Sequence, residues 1–310
     1  MQGEILSLIV AVMWTFTALF AEIASRRMGA LTLNVWRMIL SIIILGCVLF
    51  YFTGTPLPQY TDGKVWFWML ASGFMGFVFG DYCLFNSYLV MGSRFGQLFM
   101  TLASPFAALA GWVLLGESMK PIALLGMVVT ISGIAMSILG KTDDGQRGLK
   151  LPLKGVLLGI GAAMGQGVGL VLSKLGLQAY EMSVPFGVEV DPLVLPFGGT
   201  MIRTIMGLLG VGVALLWTRQ QNTMPRLWQD KTTTGAALGT ILLGPVFGVS
   251  FSLYAVTLTS AGIAQTLMAL TPVFILWPAH LIFGTKITVI EVLGAIVAVC
   301  GASLFFLPGM

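Results

Sequence analysis

Apolar runs of about 18 to 25 residues follow one another along almost the whole chain, separated only by short polar breaks. Ten can be marked, near 4–25, 32–52, 65–88, 95–116, 121–140, 155–177, 198–217, 235–257, 262–284 and 287–308. As a helix rising 1.5 Å per residue, each reaches across the ~30 Å hydrocarbon layer of a bilayer, where a helix satisfies its own backbone polar groups. With 57% of residues hydrophobic and 9% charged, almost nothing is left over for a soluble domain. The pattern predicts an all-α membrane protein with ten transmembrane helices. The first run opens on Gln2-Gly3-Glu4, lacks a basic flank, and meets no small-residue cleavage site before Glu22 to Arg27, so it reads as a retained helix.

The same sparse chemistry excludes several classes. His280 is the only histidine, so a Ser-His-Asp or His-metal site would have to rest on it alone. Cys47, Cys83 and Cys300 lie within predicted spans at no metal-ligand spacing and read as small buried thiols. Gly159 to Gly167 superficially matches a dinucleotide fingerprint, but no strand precedes it. No Lys/Arg cluster points to nucleic acid, and no cofactor or metal is expected. Sorting basic residues by side places Arg26, Arg27, Arg37, Arg94, Lys141, Arg147, Lys150, Lys154, Arg219, Arg226, Lys231 and Lys286 together, against Lys64, Lys120 and Lys174 opposite. The rich side is the cytoplasmic one by the positive-inside rule, which puts both termini outside a cytoplasmic (inner) membrane.

Sliding the chain on itself by 168 residues aligns Gly76-Phe77-Val78-Phe79-Gly80 with Gly244-Pro245-Val246-Phe247-Gly248. Without a gap, 15 of the 64 positions from 76 to 139 are identical, including Gln97 with Gln265 and Gly116, Gly126 and Gly133 with Gly284, Gly294 and Gly301. The first helices align at an offset near 152, where Trp14 meets Gln166. Residues 1–140 therefore form one five-helix repeat, 141–154 a polar linker and 155–310 a second repeat. An odd number of crossings inverts the second unit relative to the first, as in many secondary transporters.

These residues carry a family resemblance. Arg37 at the head of the second helix, Leu102-Ala103-Ser104-Pro105 followed by Gly116-Glu117, the glycines Gly126 and Gly133, the second-half run Leu270-Thr271-Pro272 with Gly284, Gly294 and Gly301, and Lys174 closing the sixth helix resemble the EamA-type, ten-helix branch of the drug/metabolite transporter (DMT) superfamily. The chain departs from the pattern where Thr285-Lys286 replaces Gly-Glu in the second copy. It departs again in a proline shifted by one residue and in the long loop at 178–197. The resemblance implies a transporter and names no substrate.

Glycines spaced by four, Gly76 with Gly80 and Gly161 with Gly165 and Gly169, predict close helix packing. Polar groups at membrane depth mark the candidate site, since a charge there costs roughly 2.5–3.5 kcal/mol on insertion scales. Asp81 lies deep in the third span, too short to reach the interface, and its counterpart in the second copy is Val249. It is a candidate to bind an amine or to carry a coupling proton, the rival reading being a structural partner for an arginine or lysine. Arg37 and Arg203 are candidates to balance it or to hold a substrate carboxylate, with snorkelling at helix ends as their alternative. Gln97, Gln265, Trp14, Gln166 and Tyr88 complete the candidate substrate-binding or coupling set.

The resulting expectation is a secondary transporter, read as an exporter of a small metabolite such as an amino acid or related zwitterion or amine, working by alternating access around a central cavity. Its partners are a small-molecule substrate, the lipid bilayer and a proton as coupling ion. The rivals are a proton-coupled multidrug or amine exporter, an intramembrane enzyme or lipid-head-group flippase, and a non-transporting assembly subunit.

Overall fold

The computed structural model describes residues 2–116, 121–141, 147–149, 151–258, 267–284 and 287–304. They are almost entirely helical. The first helices are α1 (Gln2–Met28), α2 (Ala30–Thr53) and α3 (Gly63–Gly73), which passes through a π-helical turn (Phe74–Gly80) into α4 (Asp81–Phe99). A 3₁₀ turn leads into α5 (Ala103–Leu115), and α6 (Pro121–Ile138) ends at a small hairpin in which β1 (Leu139–Lys141) pairs antiparallel with β2 (Arg147–Leu149). Beyond it lie α7 (Leu153–Ser183), α8 (Val194–Trp217) and α9 (Lys231–Ile241), the last running through a second π-helical turn (Leu242–Val249) into α10 (Ser250–Leu258). The chain closes with α11 (Thr271–Phe274), α12 (Leu276–Phe283) and α13 (Val289–Leu304).

Six stretches are long and apolar enough to cross a membrane, with shorter apolar helices beside them. One of the six, Gly63–Leu114, has 52 residues, about 78 Å if it were straight and far too long for one pass. It is not straight. Gly92 has φ 82° and ψ 160°, a conformation that only glycine reaches without strain, and there the chain doubles back. Gln97 Nε2 consequently donates to the Tyr88 hydroxyl at 2.7 Å although the two are nine residues apart.

Both copies of the glycine-aromatic motif form π-helical turns. In the second, Pro245 supplies no N–H and so removes one rung of the ordinary ladder. In the first, the Gly76 carbonyl accepts both the backbone N–H of Asp81, five residues on, and Gln166 Nε2 at 3.3 Å. The four-spaced glycines pack as expected: a Cβ on Gly165 would lie 2.6 Å from Gly80 Cα, and one on Gly169 would lie 3.2 Å from Gly76 N.

The main packing interfaces join helices before the hairpin to helices after it: α6 with α13, α2 with α8, α3, α4 and α5 with α7, and α1 with α9 and α10. Large apolar side chains such as Trp112, Val113, Leu209, Val213 and Leu293 point outward, as expected of lipid-facing surfaces. Two of the thiols correct the expectation of burial: Cys83 is buried, whereas Cys47 and Cys300 are exposed. A thiol behaves as a small apolar group, so on an outward face it suits lipid as well as a core.

Candidate functional site

Three charged side chains meet at membrane depth. Asp81 follows the first π-helical turn and is 4% exposed; Arg37 of α2 and Arg203 of α8 are 4% and 6% exposed. Neither arginine snorkels to an interface. Arg37 Nη1 donates to Asp81 Oδ2 at 2.9 Å and to Asn34 Oδ1 at 2.7 Å, and its guanidinium carbon lies 4.6 Å from the Phe85 ring centre. The other carboxylate oxygen, Asp81 Oδ1, accepts from Gln166 Nε2 at 3.1 Å. Asp81 is thus fully engaged, which is what a buried carboxylate requires.

Arg203 is held differently. Its guanidinium carbon sits 4.9 Å above the Phe77 ring, a cation–π contact, and it makes no hydrogen bond or ion pair among the described residues. Its Nε, like that of Arg37, is buried without a partner. Glycines make room for it: a Cβ on Gly73 would lie 2.9 Å from the Arg203 Cα, and one on Gly76 would lie 3.1 Å from Nη2.

A cavity of about 140 Å³ lies between helices of both halves. Trp14 of α1, Gln97 of α4, Gln166 of α7 and Arg203 line it, so four of the eight candidates are brought together on its wall. Asp81, Arg37 and Tyr88 are not on that wall. They form a layer behind it, joined to the cavity by Gln166 on one side and by the Tyr88–Gln97 hydrogen bond on the other. A direct amine contact to Asp81 is therefore not what this arrangement offers. Gln265 lies outside the described residues. The rest of the wall includes Thr101, Ser104, Val249, Ser252 and Thr271, together with apolar Met100, Leu170, Leu253 and Met268.

Thr101 is absent from the sequence reading and Ser104 enters it only as part of the family motif, although with Gln97 they form a stripe at four- and three-residue spacing that a helical reading can find. Phe77 and Phe85, which carry the two guanidinium groups, left no such signal, because a stacking contact between helices has no local signature.

Apolar helices that cross a bilayer and enclose a partly polar cavity define a multi-pass membrane protein of the transporter class. The particular family is explicit: residues 1–139 and 153–307 each match the EamA-like transporter family, within the DMT superfamily, and the chain belongs to it. Among curated proteins none matches this chain. A solved structure titled "Crystal structure of protein" superposes with a TM-score of 0.62 at 16% identity, covering 98% of this chain and 96% of that one, which shows a shared fold.

Proposed function

We propose that this protein is a secondary transporter that exports a small, amino-acid-sized metabolite across the cytoplasmic membrane by alternating access. The observation that carries this reading is the cavity, whose wall is drawn from both halves and mixes one arginine, two amides, hydroxyls and a tryptophan with apolar side chains. Ten crossings arranged as two inverted repeats suit the packing. The contact of α3 with α7 has its counterpart in that of α1 with α9, as an exchange of halves requires, and π-helical turns recur in both copies. Both termini then lie outside.

Asp81, one hydrogen bond behind the wall, is the group proposed for proton coupling. The amine-exporter reading has less support, since both Asp81 oxygens are occupied and no Asp or Glu lines the wall among the described residues. The enzyme reading needs a cluster of catalytic groups, and the wall offers no histidine, cysteine or carboxylate among the described residues.

Flux of a metabolite panel into proteoliposomes, with and without a pH gradient, tests the proposal. Expected is saturable flux of at least one solute, lost when Ser104→Trp fills the cavity. Asp81→Asn is expected to remove the pH-gradient dependence. Flux unaffected by Ser104→Trp would overturn the cavity as the route.

A further inference from the structure

We infer that the cavity is an anion site in which Arg203 anchors the carboxylate of a small organic acid, filling the role that Asp81 fills for Arg37. The inference rests on reading the cavity as the solute site and names the class of solute.

Both arginines make the same contact with the repeated motif. A Cβ on Gly76 would lie 3.1 Å from Arg203 Nη2, and a Cβ on the equivalent Gly244 would lie 3.5 Å from Arg37 Nη2. Each guanidinium rests on a phenylalanine of the third pass, Phe85 for Arg37 and Phe77 for Arg203. The difference lies one residue past the motif. The first copy has Asp81, ion-paired to Arg37; the second has Val249, and Val249 lines the cavity with Arg203. Where one arginine has a built-in carboxylate, the other has a methyl-lined space.

Charge counting points the same way. Arg37, Asp81 and Arg203 together carry one uncompensated positive charge in a membrane interior, where an unpaired ion is costly. No acidic residue lines the cavity among the described residues. A monoanion restores neutrality, and a carboxylate matches the planar, two-pronged guanidinium. Trp14 and the apolar wall from Leu170, Leu253 and Met268 then receive the rest of the molecule. An ammonium group finds only neutral amide and hydroxyl oxygens, so a zwitterion is accepted through its carboxylate and a simple amine is not.

Thermal unfolding of the detergent-purified full chain near neutral pH provides the test, using matched probes: butyrate, butyramide and butylamine, then benzoate, benzamide and benzylamine. At least one carboxylate should stabilise the protein saturably while its amide and amine do not. Arg203→Lys, which keeps the charge and loses the fork, should weaken that response by about tenfold, and Arg203→Gln should abolish it. Val249→Asp is the sharper variant. A buried aspartate ordinarily destabilises, but here it would supply the missing partner, so the ligand-free protein should be at least as stable as the wild type and should no longer respond to the carboxylate.

The inference is overturned if no carboxylate stabilises, if amides or amines do so equally, if the response survives Arg203→Gln, or if Val249→Asp unfolds as an unpaired buried carboxylate would. Arg203-dependent carboxylate binding without flux in proteoliposomes would sink the transport reading and leave the anion site standing. Flux of another solute that persists in Arg203→Gln, with no carboxylate bound, would do the reverse.

Discussion

At the scale of single residues, Asp81, the group proposed for coupling, also holds its neighbours in place. Its carboxylate ties Arg37 on one side and Gln166 on the other, and through Gln166 it fixes part of the cavity wall. Removing one member of a buried ion pair leaves the other charged and alone, at a cost of about 3–5 kcal/mol. Asp81→Asn is therefore expected to lower the unfolding midpoint markedly, and the double variant Asp81→Asn with Arg37→Met to recover most of the loss, read as a double-mutant cycle of thermal unfolding in detergent. A double variant as unstable as the sum of the singles would mean that the pair is not coupled. The sequence made this aspartate conspicuous because its repeat partner is valine. It could not say whether the charge faced solute or arginine, since that depends on the helix rotation set by the π-helical turn just before it.

Helices carry the next level of specification. Gly165 and Gly133 both permit close crossings, yet they sit at different places. A Cβ at 165 would press on Gly80 Cα and on the Met75 carbonyl at 2.7 Å, next to Gln166, whereas one at 133 would press on Ala298 Cα at 2.8 Å in the α6–α13 contact, away from the cavity wall. Each Gly→Ala change should cost about 1–3 kcal/mol through overpacking. Only Gly165→Ala should also alter carboxylate-dependent stabilisation, because only it displaces a wall residue; equal effects on binding from both would refute the distinction. The crossing at Gly165 was legible from the four-residue glycine spacing, and the spans from the length of their apolar runs, because both are carried by the local sequence; Gly133 stood out only as a repeat anchor. The reversal at Gly92 was legible only as a gap between spans. The π-helical turns were not legible, since a single inserted residue shifts the helix without changing its composition.

For the whole molecule, the end of the bundle that gathers Arg26, Arg94 and Glu291 carries a set of ionic contacts, one of which joins the two halves. Glu22 Oε2 accepts from the backbone N–H of Ser93 at 2.6 Å while Glu22 Oε1 holds Arg26 at 2.8 Å, so α1 clamps the reversal at Gly92. The next residue, Arg94, reaches Glu291 at the start of α13 at 3.2 Å. One short turn of the third and fourth passes is thus pinned by a carboxylate from the first helix and another from the last. Trp14 on the cavity wall lies eight residues from Glu22 on α1, about 12 Å along the axis. In the proposed alternating-access cycle, the clamp is the contact expected to close the path from the cavity to that end, which the bias of basic residues assigns to the cytoplasm. The proposed alternating-access cycle requires that it break, so weakening it should shift the population toward the form open at that end. In a background with Cys47, Cys83 and Cys300 changed to serine, a Ser104→Cys reporter on the cavity wall should react severalfold faster with a membrane-impermeant thiol reagent from that side when Glu22→Gln and Glu291→Gln are combined. The opposite side should show no such gain. Equal reactivity with and without the clamp would mean that these contacts hold the fold and do not gate it.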